Sequence, residues 1–106
     1  AEARVHLDNL AGAIEDIDLI RSRAGLETLS DSIPEIEKEE LLNEIFEQRS
    51  KELFTEWGHR WLDLKRTGRY AEIWEDDPYW DVTDLLYPIP AEERMKNPNL
   101  TQNPGY

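Results

Sequence analysis

Apolar residues recur with helical spacing over residues 1–26, the first part of the chain. A first helix is predicted to break around Asp8-Asn9, and a second is predicted over about residues 10–24. The apolar face of the first helix is formed by Ala3, Leu7 and Leu10, and that of the second by Ala13, Ile14, Ile17, Ile20 and Ala24. Because each helix has one apolar side, we predict that the two pack together as a helical hairpin.

Gly25 marks the predicted end of the second helix. It stands where a residue with a left-handed backbone closes a helix, and Leu26 comes next, where a Schellman motif packs its apolar residue back on Ile20. Residues 27–36 are polar and contain Pro34, which disfavours helix at the residue before it. These residues are predicted to form a linker after the hairpin.

The longest helix is predicted over about residues 37–57. Acidic residues crowd its first turns, where they suit the positive end of the helix dipole. Its buried stripe is marked by Leu42, Phe46, Leu53 and Trp57. Gly58 permits a break or a bend, and residues 59–67 are predicted to form a short helix that ends at Gly68.

The remainder of the chain is predicted to be mostly irregular. Residues 72–84 are acidic and aromatic and favour a loop with one turn of helix, and residues 85–90 favour an extended segment. Pro90 then starts a helical turn through Met95, and the tail after it is irregular but held to the surface. The predicted fold class is therefore mainly α: a helical hairpin, a long helix, a short helix and an irregular C-terminal segment.

Composition and charge narrow the classes of function. The 106 residues include 24 Asp and Glu against 12 Lys and Arg, a formal net charge of −12 that would repel nucleic acid. There is no cysteine for a disulfide or a thiolate metal site, and no apolar run approaches the roughly 20 residues of a membrane-spanning helix. The chain begins Ala1-Glu2-Ala3-Arg4, which is typical of the middle of a helix, so we expect it to be part of a larger protein.

The stretch from Glu47 to Arg69 carries the most specific motif, EQRSKELFTEWGHRWLDLKRTGR. It resembles the signature of the SusD/RagB family, E-R-x-x-E-L-x-x-E-G-x-R-W-x-D-L-x-R-x-G. The agreeing positions are Gln48, Arg49, Glu52, Leu53, Glu56, Gly58, Arg60, Trp61, Asp63, Leu64, Arg66 and Gly68. The chain departs from this pattern by inserting Trp57 between Glu56 and Gly58.

Two further stretches resemble the same family. The sequence LYPIP, with NPNLTQNPGY after it, is similar to the ending L-x-P-I-P…N-P-x-L-x-Q-N-P-G-Y. Residues 1–26 resemble the last tetratricopeptide-like helical hairpin of the family, and residues 27–106 resemble the helical and loop region that ends it. The three motifs occur in the family's order and cover nearly the whole chain.

The resemblance implies a binding protein without enzymatic activity or cofactor. Such proteins are lipid-anchored on the outer face of the outer membrane, where they cover a SusC-like TonB-dependent transporter and capture oligosaccharides for import. Their sugar-contacting residues belong mostly to a loop-rich half that precedes the region matched here, so no ligand residue is transferred to this chain. The lipid anchor is likewise expected upstream of it.

Five charged residues have helical spacing across the junction of the two predicted helices: Arg49, Glu52, Glu56, Arg60 and Asp63. If helix continues through Gly58, they lie on one face as alternating partners. A binding or catalytic cluster is one interpretation. A structural ion network is favoured, because neighbouring guanidinium groups would hold the carboxylates ionised, whereas a general acid needs a raised pKa.

The aromatic residues allow two interpretations. Trp74, Tyr79 and Trp80 lie in the acidic loop, which has the composition of a glycan contact, aromatic faces for sugar rings beside carboxylates for their hydroxyls. The alternative is that they fill the core, and this is favoured for Tyr79 and Trp80. Trp57 and Trp61, four residues apart, are both predicted to be in the core.

Three other functional classes are weaker. A glycosidase needs two facing carboxylates with one kept protonated, and an acidic chain offers many accidental pairs. A metal site lacks support because His6 and His59 have no ligand at a metal-binding spacing. A tetratricopeptide-like adaptor that binds a protein partner, with no carbohydrate role, remains the alternative, although repeat arrays need about three units and one hairpin is present.

Overall fold

Helices and turns make up the structure, a computed structural model that describes every residue from Ala1 to Tyr106 and contains no β-strand. The mainly helical fold predicted from the sequence is therefore confirmed. The chain divides into two compact units, Ala1–Arg60 and Trp61–Tyr106. The division predicted at residue 26, between a helical hairpin and the C-terminal region, stays a prediction.

Four helices form the first unit. They are α1 (Glu2–His6), α2 (Leu10–Arg23), α3 (Leu29–Ser32) and α4 (Lys38–Glu52). Their inward faces meet in one apolar core of Val5, Ala13, Ile17, Leu29, Ile36, Leu41 and Ile45. The predicted face of the first helix is wrong at two of its three positions. Ala3 and Leu7 are exposed, Leu7 because the chain leaves helical geometry there, and Val5 supplies the core contact instead.

Both ends of α2 are capped, and the sequence predicted the cap at the second end. The Asn9 side chain accepts a hydrogen bond from the Gly12 backbone N–H at 3.1 Å and so caps the start. At the other end Gly25 has a φ of +72°, and the Leu26 N–H donates to the Arg21 carbonyl at 2.9 Å. This bond and the one from the Gly25 N–H to the Ser22 carbonyl at 3.1 Å are the two that define a Schellman motif, which confirms the predicted stop.

The predicted linker over residues 27–36 contains a helix, α3, that the sequence pattern did not indicate. The Leu29 side chain at the start of this helix is buried in the core. The carboxylate of Asp18 on α2 accepts hydrogen bonds from the backbone N–H of Leu29 at 2.6 Å and of Ser30 at 3.1 Å, and from the Ser30 hydroxyl at 2.7 Å. The start of α3 is thus capped by a residue from a different helix.

Asp18→Asn is expected to destabilise the protein by about 1–3 kcal/mol at neutral pH, because α3 loses a charged acceptor for its first N–H groups. Burial raises the pKa of Asp18, but the hydrogen bonds from Ser30 and Leu29 and the charge of Arg21 outweigh it and hold the pKa below its usual value. The contribution is therefore present above the unfolded-state pKa and lost as the pH falls through the lower folded-state pKa. Urea unfolding at a series of pH values measures the free energy of unfolding of the parent protein and of Asp18→Asn. If the difference between the two stayed constant down to pH 3, the ionised Asp18 carboxylate would not be the source of the stabilisation.

The long helix α4 ends at Glu52, five residues earlier than predicted. Thr55 and Trp57 have φ values of +65° and +42°, and Gly58 comes next at +70°, so these residues cannot continue an α-helix. Trp57 is 92% exposed, and its predicted place in the core is wrong. The left-handed turn directs this ring away from the stripe that the helical spacing had assigned to it.

Short helices and turns form the C-terminal unit. The helix α5 (His59–Thr67) ends before Gly68, whose φ is +73°, as predicted. After it come α6 (Ala71–Trp74), a 3-10 turn (Val82–Leu85) and α7 (Ala91–Lys96). Leu86 has the extended backbone predicted for residues 85–90, whereas Leu85, which was predicted to be extended, still belongs to the 3-10 turn. Pro90 directly precedes α7. No helix of the chain has both the length and the apolar character needed to span a bilayer.

The irregular tail is hydrogen-bonded to the extended segment. The Gln102 carboxamide accepts from the Ile89 N–H at 2.7 Å and donates to the Ile89 carbonyl at 3.1 Å. The Asn103 side chain donates to the Tyr87 carbonyl at 2.7 Å, and the Tyr106 hydroxyl donates to the Leu86 carbonyl at 2.9 Å. Side chains thus satisfy backbone groups that a neighbouring strand would otherwise satisfy.

Candidate functional site

The five charged residues of the signature do not lie on one continuous helix. Glu52 is the last residue of α4 and forms an ion pair with Arg23 of α2. Asp63 is buried within α5, and its Oδ1 accepts from the Arg66 Nε at 2.7 Å. The assumption that helix runs through Gly58 is therefore wrong.

The remaining three members occupy different surroundings. Arg49 is half-buried on α4, whereas Glu56 and Arg60 are exposed. Whether the five act as one structural network stays a prediction. Arg23 and Arg66 are partners that the sequence pattern did not identify. The spacing of three residues between Asp63 and Arg66 was a signal for the second pair, whereas no local signal indicated the first.

An aromatic cluster is the main feature of the C-terminal unit. Trp61 is at its centre, with ring centroids 5.6 Å from Trp74, 6.2 Å from Trp80 and 6.4 Å from Tyr87. Trp74 and Trp80 are 5.0 Å apart, and Tyr70 is 6.0 Å from Trp80. The rings are mostly tilted or edge-to-face, the arrangements that aromatic quadrupoles favour. Trp61, Trp74 and Trp80 are half-buried within this cluster, and each supports the others.

Tyr79 does not join the cluster. It is 93% exposed, so the favoured prediction that it lies in the core is wrong. The local turn explains the outcome, because the Asp77 carboxylate accepts from the Tyr79 N–H at 2.9 Å and the Asp77 carbonyl accepts from the Trp80 N–H at 3.0 Å. This turn brings Trp80 into the cluster and leaves the preceding residue pointing into solvent.

On the other side of Trp80, hydrogen bonds to the Asp81 side chain fix the acidic loop. The Asp81 Oδ1 accepts from the Thr83 hydroxyl at 2.6 Å and the Thr83 N–H at 2.9 Å, and Asp84 accepts from the Asp81 N–H at 2.9 Å. This is a capping box for the 3-10 turn. The hydrogen bonds from the Thr83 hydroxyl and N–H hold the pKa of Asp81 below its usual value, opposite to the shift that a general acid requires.

The first unit contains a groove of about 360 Å³ between α2 and α4. Ile17, Ile20 and Ile45 provide apolar lining, while Gln48 and Arg49 provide polar groups. Gln48 is only 7% exposed. In the sequence, Gln48 stands out only as a position of the signature, and no local pattern identifies it as a binding group.

Comparisons with known proteins cover the whole chain. The family model described as the SusD family matches residues 1–106. SusD-like protein P38 of Formosa agariphila is 32% identical over 111 residues, which cover all of this chain and 22% of that protein. SusD-like protein P2 of the same organism is 40% identical over 76 residues, 65% of this chain and 15% of that protein.

The chain spans about a fifth or less of the length of these two relatives. No solved structure matches it. The motif from Glu47 to Arg69, the paired C-terminal stretches and the helical hairpin all fall within the region that the family model covers. The chain belongs to the SusD family.

Proposed function

We propose that this chain is the scaffold portion of a cell-surface glycan-capture protein that delivers oligosaccharide to a SusC-like TonB-dependent transporter. The observation that carries the proposal is the family match over residues 1–106. In this function the protein binds its cargo without altering it. It is lipid-anchored on the outer face of the outer membrane through sequence upstream of the region described here.

A scaffolding role agrees with how the motif residues are used. The two C-terminal stretches that carry the resemblance bind each other, because Gln102 and Asn103 of the second are hydrogen-bonded to the backbone of Ile89 and Tyr87 in the first. Asp63 and Leu64 of the signature are buried in α5. These motif residues are therefore engaged in structure and leave few groups free for a ligand.

The main glycan site is proposed to lie outside the matched region. The two relatives are each several times longer than the stretch they share with this chain. A loop-rich part of the protein would supply most sugar contacts, and the helical core around Leu41 would support it. Such a division resembles other binding proteins, in which loops carry recognition and a packed core positions them.

Calorimetry of the full-length protein against a panel of oligosaccharides tests the proposal. We expect saturable binding of at least one glycan, recovery of that glycan with its chain length unchanged, and co-purification of the protein with a TonB-dependent transporter from outer membranes. Shortening of the glycan would show a hydrolase instead. Absence of glycan binding across the panel would reject capture.

A protein-interaction adaptor is the second candidate, and the groove between α2 and α4 is the observation that favours it. Its apolar lining could receive an apolar side chain, and the carboxamide of Gln48 in that lining could bind a peptide group. The same experiment separates the two functions. Retention of a soluble protein partner, together with no affinity for any oligosaccharide, would support the adaptor.

A further inference from the structure

Tyr79 is an exposed aromatic ring on an ordered support. Its backbone N–H is bound by the Asp77 carboxylate at 2.9 Å, and the next residue, Trp80, packs 5.0 Å from Trp74 and 6.0 Å from Tyr70. The capping box of Asp81 fixes the chain immediately after it. The ring is therefore presented to solvent by a segment that is held on both sides.

Such a ring suits a ligand with a flat apolar face. A solvated aromatic face gains free energy when C–H groups cover it, and a ring on a fixed turn loses little conformational entropy on binding. A pyranose presents axial C–H groups on one face and hydroxyls around its edge. A protein interface of ordinary size needs about 800 Å² on each partner, far more than one tyrosine side chain provides.

The charge around Tyr79 selects among saccharides. Residues 72–84 contain six carboxylates and no lysine or arginine, the carboxylates being Glu72, Glu75, Asp76, Asp77, Asp81 and Asp84. Ionised carboxylates accept hydrogen bonds from hydroxyl groups. They repel a uronic acid or a sulfated sugar, because like charges brought together at a surface raise the energy of the complex.

We propose that the Tyr79 ring is a stacking platform for a neutral oligosaccharide, in addition to the main glycan site outside this region. This inference rests on the proposed function, since it assumes that the protein encounters oligosaccharides. It assigns a direct ligand contact to a part of the chain otherwise proposed to be scaffold. Trp74 and Trp80, the other two aromatics of the loop, support the platform from within the cluster.

The test compares Tyr79→Ala, Tyr79→Phe and Val82→Ala in the full-length protein. Val82 is an exposed apolar residue of the same loop, so Val82→Ala is the matched control. The ligands are neutral hexasaccharides of glucose, xylose and mannose, an anionic alginate hexasaccharide and a lysine-rich peptide. Tyr79→Ala is expected to weaken binding of the preferred neutral hexasaccharide roughly tenfold. The other two variants are expected to stay within about twofold of the parent protein, because the ring or its surroundings remain.

Three results would overturn the inference. The first is an unchanged Kd in Tyr79→Ala, which would place all sugar contact elsewhere and leave the proposed function intact. The second is tighter binding of the alginate hexasaccharide than of every neutral one. The third is a Tyr79-dependent affinity for the lysine-rich peptide alone. If the parent protein bound no saccharide at all, the inference and the proposed function would both fail.

Discussion

Leu41→Ala is expected to lower the free energy of unfolding by about 2–5 kcal/mol. Leu41 is 0% exposed and packs in the single apolar core of the first unit. Removal of its isobutyl group takes away buried apolar surface and leaves a cavity among side chains of α1, α2 and α4 that cannot fully collapse. Urea unfolding followed by circular dichroism measures the change.

Leu19→Ala is the matched control for that loss. Leu19 lies on the outer face of α2 and is 73% exposed, so the same chemical change there removes little buried surface. Its effect is expected to stay within about 0.5 kcal/mol. Equal losses in the two variants would mean that Leu41 is not at the centre of a packed core.

Gly105→Ala is expected to destabilise the C-terminal unit by about 2–4 kcal/mol, since two penalties combine. Gly105 has a φ of +93°, which side-chain-bearing residues rarely adopt. A Cβ there would clash with the Thr83 Oγ1 and lie 2.8 Å from the Thr83 Cβ, so either the tail or the 3-10 turn must move. Thermal unfolding and proteolysis of the tail report the change.

Gly25→Ala separates the two penalties. Gly25 has a similar positive φ of +72°, but nothing lies within 4 Å of a Cβ built there. This variant is expected to lose only about 1 kcal/mol, the cost of an alanine in a left-handed conformation. If both glycine variants lost the same amount, the close approach of Gly105 to Thr83 would have no energetic consequence.

Most of the helices could be predicted because their signals are local. The stop at Gly25, the stop at Gly68 and the helical turn after Pro90 depend on residues within one or two turns of each other, and all three are present. Helical spacing similarly predicted α2 and α4, although the predicted end of α4 was five residues too late. These features need no information about the rest of the fold.

The missed features depend on tertiary contacts or rare backbone conformations. The helix α3 requires a carboxylate from Asp18, eleven residues before Leu29, and no local pattern in residues 27–36 reveals it. The end of α4 requires left-handed conformations at Thr55 and Trp57, which side-chain-bearing residues seldom adopt. An extrapolation of helical spacing through that junction therefore placed Trp57 on the wrong side.

The candidate site was predictable in composition and unpredictable in geometry. The pattern identified Trp74, Tyr79 and Trp80 as one aromatic and acidic loop, but it could not tell which ring would point outward. That depends on the turn closed by Asp77, which separates adjacent residues into a packed ring and a solvated one. The place of Gln48 in the groove had no distinguishing signal in the sequence, because it arises from the way α2 and α4 face each other.

The double hydrogen bond of Gln102 has a consequence for how this ending tolerates changes in length. Since one carboxamide holds both the N–H and the carbonyl of Ile89, the tail cannot slide along the extended segment by one residue without breaking both bonds. Insertions or deletions between these two anchor points would therefore be absorbed by α7 and the turn after it. The terminal residues would keep their alignment with the extended segment, while the segment between Ile89 and Gln102 became longer or shorter.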